Sequence, residues 1–232
     1  MIKVKKIAII QPNFIPWWGY FKFISDVNEF VFLDDVQYTK RDWRNRNRIR
    51  TPNGWNWLSL PIDLSDGSRI SINKILLSSN IDVKSETLYN LKKYYGKSEY
   101  FSEISDLIGE SFDISERSLS TLNIEIIKRI NLYLKISTPV SLSSSFDLNS
   151  TSTQRLVDIT KKMKCDIYYS GQNAKPYLNE QLFVDQGMVV KWYEYGKQKI
   201  YSQLYPGFIE NLSIVDALFN LGPSTRETFL SK

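Results

Sequence analysis

The feature that most limits the fold of this chain lies in its opening residues. Val4-Lys-Lys-Ile-Ala-Ile-Ile10 is mostly apolar and β-branched and stops at Gln11-Pro12, the pattern of a buried strand. From Ile15 to Val27, Pro16 comes early and Trp17, Tyr20, Phe21 and Ile24 recur at offsets of three and four, which predicts a helix with one apolar face. Glu29-Phe-Val-Phe-Leu33 reads as a second strand, ended by Asp34-Asp35. Strand, helix and strand within about thirty residues form a βαβ unit, which implies a parallel pair with a right-handed crossover.

The rest of the chain extends this pattern. Trp43 to Arg50 and Trp55 to Ile62 alternate about the turn signal Thr51-Pro-Asn-Gly54, which predicts a β-hairpin. Helical spacing covers Ser85 to Tyr95, Phe101 to Phe112 and Ser118 to Leu134. Thr138 to Phe146 reads as a strand, and Ser150-Thr-Ser-Thr153 as caps for a helix running to Lys164. Cys165 to Tyr169 and Met188 to Tyr195 read as strands, and Ile214 to Leu221 as a helix ended by Gly222-Pro223. The expectation is an α/β fold: a Rossmann-like, mostly parallel sheet with flanking helices, a β-hairpin after the second strand and a helical middle region. With no repeat and no linker, residues 1–232 are expected to form a single α/β domain, with a helical insertion or cap at roughly 84–135.

Composition narrows the chemistry. There is no histidine, which excludes Ser-His, Cys-His and His-ligated zinc mechanisms within this chain. Proton transfer is left to Asp, Glu, Lys, Tyr, Cys or the substrate. Net charge is +5, which favours an anionic partner. The single Cys165 cannot form an internal disulfide and reads as a core residue. Met1-Ile-Lys-Val-Lys-Lys leads into too few apolar residues for a signal peptide, and no stretch approaches a membrane span, so a cytoplasmic protein without membrane insertion is expected.

In open α/β sheets ligands bind beyond the carboxyl ends of the strands. The first strand delivers Gln11, Pro12 and Asn13 there; the second delivers Asp34, Asp35, Gln37, Tyr38, Lys40 and Arg41. The turn to the first helix, with Trp17 and Tyr20, can hold a phosphate on free N–H groups or simply turn the chain with Trp17 or Trp18 in the core. Asp34 or Asp35 can act as a general base or cap a turn; on an extended chain only one of two adjacent carboxylates reaches a given face. With no His or further acid nearby, no metal site is expected. On a strand, Arg44, Arg46, Arg48 and Arg50 share one face, opposite Asn45, Asn47 and Ile49. Such a stripe binds phosphate through its guanidinium forks or serves as a solvated edge strand. The following Trp55 and Trp57 strengthen the first use. Ser170-Gly171-Gln-Asn-Ala-Lys-Pro-Tyr177, including Lys175, follows another strand end and can join the same edge or form a plain turn.

Four blocks together resemble the signature of the WbqC-like family. They are Ile9-Ile-Gln-Pro-Asn-Phe-Ile-Pro-Trp-Trp-Gly-Tyr-Phe21, Phe32-Leu-Asp-Asp-Val-Gln-Tyr-Thr-Lys-Arg41, Trp43-Arg-Asn-Arg-Asn-Arg-Ile49 and Tyr169-Ser-Gly-Gln-Asn-Ala-Lys-Pro-Tyr-Leu178. The opening block is also distantly similar to the strand–turn–helix of the nucleotidylyltransferase-like α/β superfamily. There a Pro-x-x-Gly-x turn works with two histidines; here it reads Pro16-Trp17-Trp18-Gly19-Tyr20 without them, so the fold is implied and adenylyl transfer is not.

The WbqC-like resemblance implies a role in bacterial surface-polysaccharide (O-antigen, lipopolysaccharide) biosynthesis. The expected reaction is transfer of an acyl or aminoacyl (glycyl) group to the amine of a nucleotide-linked amino-deoxy sugar, such as a dTDP-amino sugar. The donor would be a carrier-protein thioester, a CoA thioester or an aminoacyl-tRNA, which makes an acyl-carrier protein or a tRNA the expected partner. Arg44, Arg46 and Arg48, with Lys40 or Arg41, would bind the pyrophosphate, and Trp17, Trp18, Trp55 or Trp57 the base or sugar. Gln11, Asn13, Tyr20, Gln37, Asn45, Ser170 and Lys175 would complete the pocket, with Asp35 or Asp34 as base. Many members of the family carry His where Ile10 stands, so if that histidine is catalytic this chain needs a substitute or lacks the activity. Two alternatives remain open: an ATP-dependent carboxylate-activating enzyme, and an RNA-binding module built on the Arg stripe.

Overall fold

A computed structural model describes residues 4–63 and 70–230. Residues 1–3, where the reading of the amino terminus begins, lie outside the described residues. In chain order the elements are β1 (Lys6–Ile10), α1 (Trp18–Ser25), β2 (Glu29–Phe32), the hairpin β3 (Arg46–Thr51) and β4 (Gly54–Ser59), β5 (Ile62–Asp63) and β6 (Leu76–Leu77). Then follow α2 (Val83–Tyr95), α3 (Phe101–Glu110), α4 (Leu119–Tyr133), β7 (Val140–Leu142), α5 (Ser152–Lys162) and β8 (Ile167–Gly171). Finally come α6 (Gln181–Val184), β9 (Val189–Tyr193), α7 (Ile214–Leu221) and α8 (Thr225–Phe229).

Five strands form one parallel sheet in the order β7-β2-β1-β8-β9, with Ile7 opposite Glu29 on one side of β1 and Tyr168 on the other. Their residues alternate between two cores as period two requires. Ala8, Phe30 and Phe32 face a core shared with α1, α4 and α7; Ile7, Ile9 and Val31 face a second core with Val157 and Ile159 of α5 and Phe183 of α6. Helices thus cover both faces, as a doubly wound α/β fold demands.

Tertiary packing, more than intrinsic propensity, holds α1. Eight residues are too few for an isolated helix, which needs roughly 12–15, but Phe21, Phe23 and Ile24 are fully buried. Each such side chain contributes about 1.5–3 kcal/mol of transfer free energy. The helix starts three residues later than its apolar spacing predicts because Ile15 takes a left-handed backbone with φ 37°. That conformation is rare for a β-branched residue and costs about 1–3 kcal/mol. The surroundings enforce it: Asn47 Nδ2 donates to the carbonyls of Phe14 (3.1 Å) and Ile15 (2.8 Å), and Ser213 Oγ donates to Ile15 O (2.7 Å).

The hairpin is shorter than predicted. Arg46 pairs with Ser59 and Thr51 with Gly54, so Arg44 and Asn45 precede the strand and Leu60 to Ile62 follow it. The strand expected over Thr138 to Phe146 ends at Leu142, and Ser143–Phe146 is a 3₁₀ turn. The cap expected at Ser150 to Thr153 falls on Thr151, which makes no side-chain capping bond. Cys165 precedes β8 and is 7% exposed; burial pushes its thiol up to about 12, so it is a core group and not a nucleophile. Among the described residues no helix is long and apolar enough to cross a membrane.

Candidate functional site

The strand order reverses at β1, whose neighbours β2 and β8 lead into crossovers on opposite faces of the sheet. The crevice beyond the carboxyl ends of β1 and β8 is therefore the place where this architecture binds ligands. Gln11 and Asn13 come from the end of β1, and the side chain of Arg44 enters the crevice to meet them. Its Nη1 donates to Asn13 Oδ1 at 3.1 Å, its Nη2 donates to Gln11 Oε1, and Asp42 lies at 3.4 Å. The Arg44 main chain is fixed from behind, where Asn123 Nδ2 of α4 donates to the carbonyls of Arg44 (2.7 Å) and Pro12 (3.1 Å).

Arg44 is a buried cation largely served by neutral amides. Its side chain is 14% exposed, and burial lowers its pKa, with Asp42 and nearby tyrosines opposing that shift. Tyr20, Tyr38 and Tyr177 are those tyrosines. Tyr20 donates to Gln11 O at 3.0 Å and Tyr38 to Asn45 Oδ1 at 3.0 Å. Burial raises both phenols, so they stay neutral donors beside the guanidinium. Ser170 is buried on β8, whereas Lys175 lies 5.4 Å from the Trp192 ring; of that loop, the exposed Tyr177 influences Arg44 electrostatically.

The other arginines have separate surroundings. Arg46 and Arg48 lie on the outer face of the hairpin, with guanidinium carbons 4.1 Å from the Trp57 ring and 5.3 Å from the Trp55 ring. Arg50 shares their side of β3 but is 3% exposed and bonds to the carbonyls of Thr51, Gly54 and Pro206. The shared face foreseen for four arginines thus reduces to Arg46 and Arg48 as accessible cations. Lys40 and Arg41 are exposed on the loop before Arg44, and Arg41 O accepts a bond from Arg46. Gln37 forms a bridge with Ser71.

Asp34 and Asp35 turn toward β7 instead of the Arg44 group. Asp34 is 3% exposed and accepts from Ser143 Oγ (3.0 Å), Ser144 N (3.0 Å) and Ser144 Oγ (2.7 Å). Asp35 accepts from the same Ser143 Oγ at 2.5 Å and pairs with Arg155 of α5. The two carboxylates converge on one hydroxyl, contrary to the expectation of opposite faces, because β2 ends at Phe32 and the chain is no longer extended at Asp34. Arg155 is invisible to local patterns; the run Ser143-Ser-Ser145 after a strand end was the available signal.

Asp34 and Ser144 also border a cavity of ≈320 Å³ at the carboxyl ends of β2 and β7, together with Lys74, Glu116, Ser120 and Ile124. Ser120 is 2% exposed. It sits three residues before Asn123 on α4, so this cavity and the Arg44 main chain lie within a turn of each other along one helix. The start of α1, expected as a possible phosphate cradle, is covered by rings: a Cβ on Gly19 would lie 2.5 Å from Trp17 and 2.8 Å from Tyr195.

The model of the WbqC-like protein family matches residues 11–228. The chain belongs to the WbqC-like family. A relative, the uncharacterized protein Rv1507c of Mycobacterium tuberculosis, is 37% identical over 220 residues, covering 94% of this chain and 95% of the relative. No solved structure matches. The match to the WbqC-like model spans the Arg44 crevice, the hairpin and the β8 loop alike.

Proposed function

We propose that this protein transfers an acyl or aminoacyl group, such as glycyl, to the amine of a nucleotide-linked amino-deoxy sugar in surface-polysaccharide biosynthesis. The observation that carries the reading is the desolvated Arg44 guanidinium, held by the amides of Gln11 and Asn13 at the crevice beside β1. A mostly buried guanidinium held by two neutral amides, with one carboxylate, Asp42, at 3.4 Å, suits a diphosphate, because the two charges of the anion add to what a single partly exposed carboxylate supplies. In this reading Arg44 takes the diphosphate of the acceptor, and the cavity bordered by Asp34 takes the sugar.

The amine attacks the acyl carbon, the bond to the carrier's sulfur or oxygen breaks, and the amine's proton goes to a base while the leaving group is protonated. A neutral amine is already nucleophilic and needs only modest help, so a chain without histidine can support the step. Asp34 borders the cavity and is the acid assigned to the proton; Asp35, paired with Arg155, braces its loop.

Titration calorimetry with dTDP and dTDP-4-amino-4,6-dideoxyglucose tests this. Arg44→Ala is expected to weaken binding by roughly 10–150-fold, the value of about one charge-assisted hydrogen bond. Circular dichroism of the variant checks that the fold is kept. Absence of binding to either ligand by the wild-type protein would overturn the reading.

A further inference from the structure

We infer that the outer face of the β3–β4 hairpin docks single-stranded RNA, with bases stacking on Trp43 and Trp55 and phosphates meeting Arg46 and Arg48. This surface is distinct from the Arg44 crevice, and nothing in the acceptor reading requires it. The other side of the hairpin is core, where Asn47, Ile49 and Leu58 are at most 3% exposed. The outer side keeps Trp55 at 44% exposure and the adjoining Trp43 at 39%. Two exposed indoles on either side of a third, Trp57, are unusual on a surface that has no partner.

The register explains the arrangement. Arg48 lies opposite Trp57 and Arg50 opposite Trp55, so Arg46 and Arg48 project on the same side as both indoles. Ring centroids run from Trp43 to Trp57 at 5.5 Å and from Trp57 to Trp55 at 5.4 Å, with interplanar angles of 52° and 84°. The rings therefore do not stack on one another; Arg46 covers Trp57, and the exposed ring surface belongs to Trp43 and Trp55. Arg48 lies 5.8 Å from the Trp43 ring as well as beside Trp55. Among the described residues neither Arg46 nor Arg48 makes an ion pair; Arg46 donates to Arg41 O and Arg48 to Asn211 O. A guanidinium has five N–H donors, so both retain donors for phosphate.

Aromatic platforms interleaved with cations are what unpaired nucleotides need: each base has a π-face and each link carries one negative charge. Two exposed indoles, flanking the Arg46-covered Trp57, suit two successive nucleotides, more bases than one sugar nucleotide carries. Duplex bases are already stacked and cannot use them. An acidic carrier protein would use the arginines and leave the indoles without a role. The choice of RNA over DNA rests on the transfer reading, in which an acyl-bearing RNA end serves as the donor.

The test is fluorescence anisotropy of a labelled single-stranded RNA of about eight nucleotides, titrated with the full chain without any sugar nucleotide. Micromolar binding is expected, with a log–log salt slope near −1.4 for two neutralised phosphates at about 0.7 each. Trp55→Ala should weaken it roughly 5–150-fold, the range of one base stack. Trp43→Ala, at the second exposed indole, should weaken binding to a similar degree, whereas Trp55→Phe, which keeps a ring beside Arg48, should retain most of it. No binding, binding indifferent to both alanine substitutions, or equal binding of duplex RNA or of DNA would overturn the proposal. Loss of sugar-nucleotide binding with RNA binding intact would instead sink the transfer reading, so the two failures are distinguishable.

Discussion

Replacing Arg155 with Met is expected to cost about 3–5 kcal/mol, the usual penalty for stranding one half of a buried ion pair. The Arg155 side chain is 9% exposed and that of Asp35 19%, so neither charge is well solvated. The same guanidinium also donates to Leu148 O at 2.7 Å and Ser150 O at 3.3 Å. It thereby ties the end of β2 to the segment leading into α5. The double variant Asp35→Asn with Arg155→Met should recover part of the loss, with a coupling energy of about 1–3 kcal/mol. Denaturant midpoints of the four proteins give that coupling directly. Strictly additive costs would show that the pair does not brace the loop, and would return Asp35 to consideration as a free acid.

Asp216→Ala is expected to be of similar size, roughly 4 kcal/mol, because three buried donors lose their acceptor at about 1–3 kcal/mol each. Asp216 is 0% exposed and receives Tyr95 Oη at 3.0 Å, Tyr201 Oη at 2.6 Å and Gln203 Nε2 at 2.9 Å. Tyr95 in turn accepts from the Arg50 backbone N–H at 2.7 Å, so the network anchors the hairpin to α2 and α7. Burial raises the Asp216 pKa above the ordinary carboxylate value, against the lowering by its donors. The folded state therefore holds the Asp216 proton more tightly than the unfolded state does. Its contribution to stability is full below the unfolded value of about 3.9 and declines as pH rises through the folded value. Asp216→Asn removes this term. The stability of the wild type relative to Asp216→Asn should fall with rising pH across that window and then level off. An increase with pH would refute the assignment.

Much of the fold was legible in local patterns. The opening strand, helix and strand stand out because an apolar β-branched run gives way at Gln11-Pro12 to a period of about 3.6, which ends at Val27, and the second apolar run stops at Asp34-Asp35. The helix Ile214–Leu221 matches residue for residue, since Gly222-Pro223 stops it sharply. The four-residue α6 and five-residue α8 escaped because they are too short to display a helical period. The β5–β6 ladder has only two residue pairs, fewer than an alternation needs.

The site was legible in its ingredients but not in its partition. Gln11, Asn13 and Arg44 were all visible as polar residues near strand ends, and they do meet. What alternation misassigned was Arg44 itself, which was placed in register with Arg46 although the strand begins only at Arg46. The Asp35–Arg155 pair spans 120 positions, and no local pattern encodes such a partner. Ile15 is a sharper case. Its identity argues against a left-handed backbone, and only Asn47 and Ser213, far along the chain, reveal why it adopts one.

The position of β1 has a consequence for how the molecule is made. On one side β1 pairs with β2, which leaves the ribosome soon after it; on the other it pairs with β8, where Lys5 and Asp166 are 161 residues apart. At about 5–20 residues per second, translation takes roughly 8–30 s to cover that distance. Throughout this interval the nascent sheet presents one flank of β1 with its ladder of N–H and C=O groups unmatched, next to the apolar Ile7 and Ile9. The crevice that receives Arg44 thus closes only when β8 arrives, with β9 alone left to add, and the growing chain needs shielding at this edge while it waits.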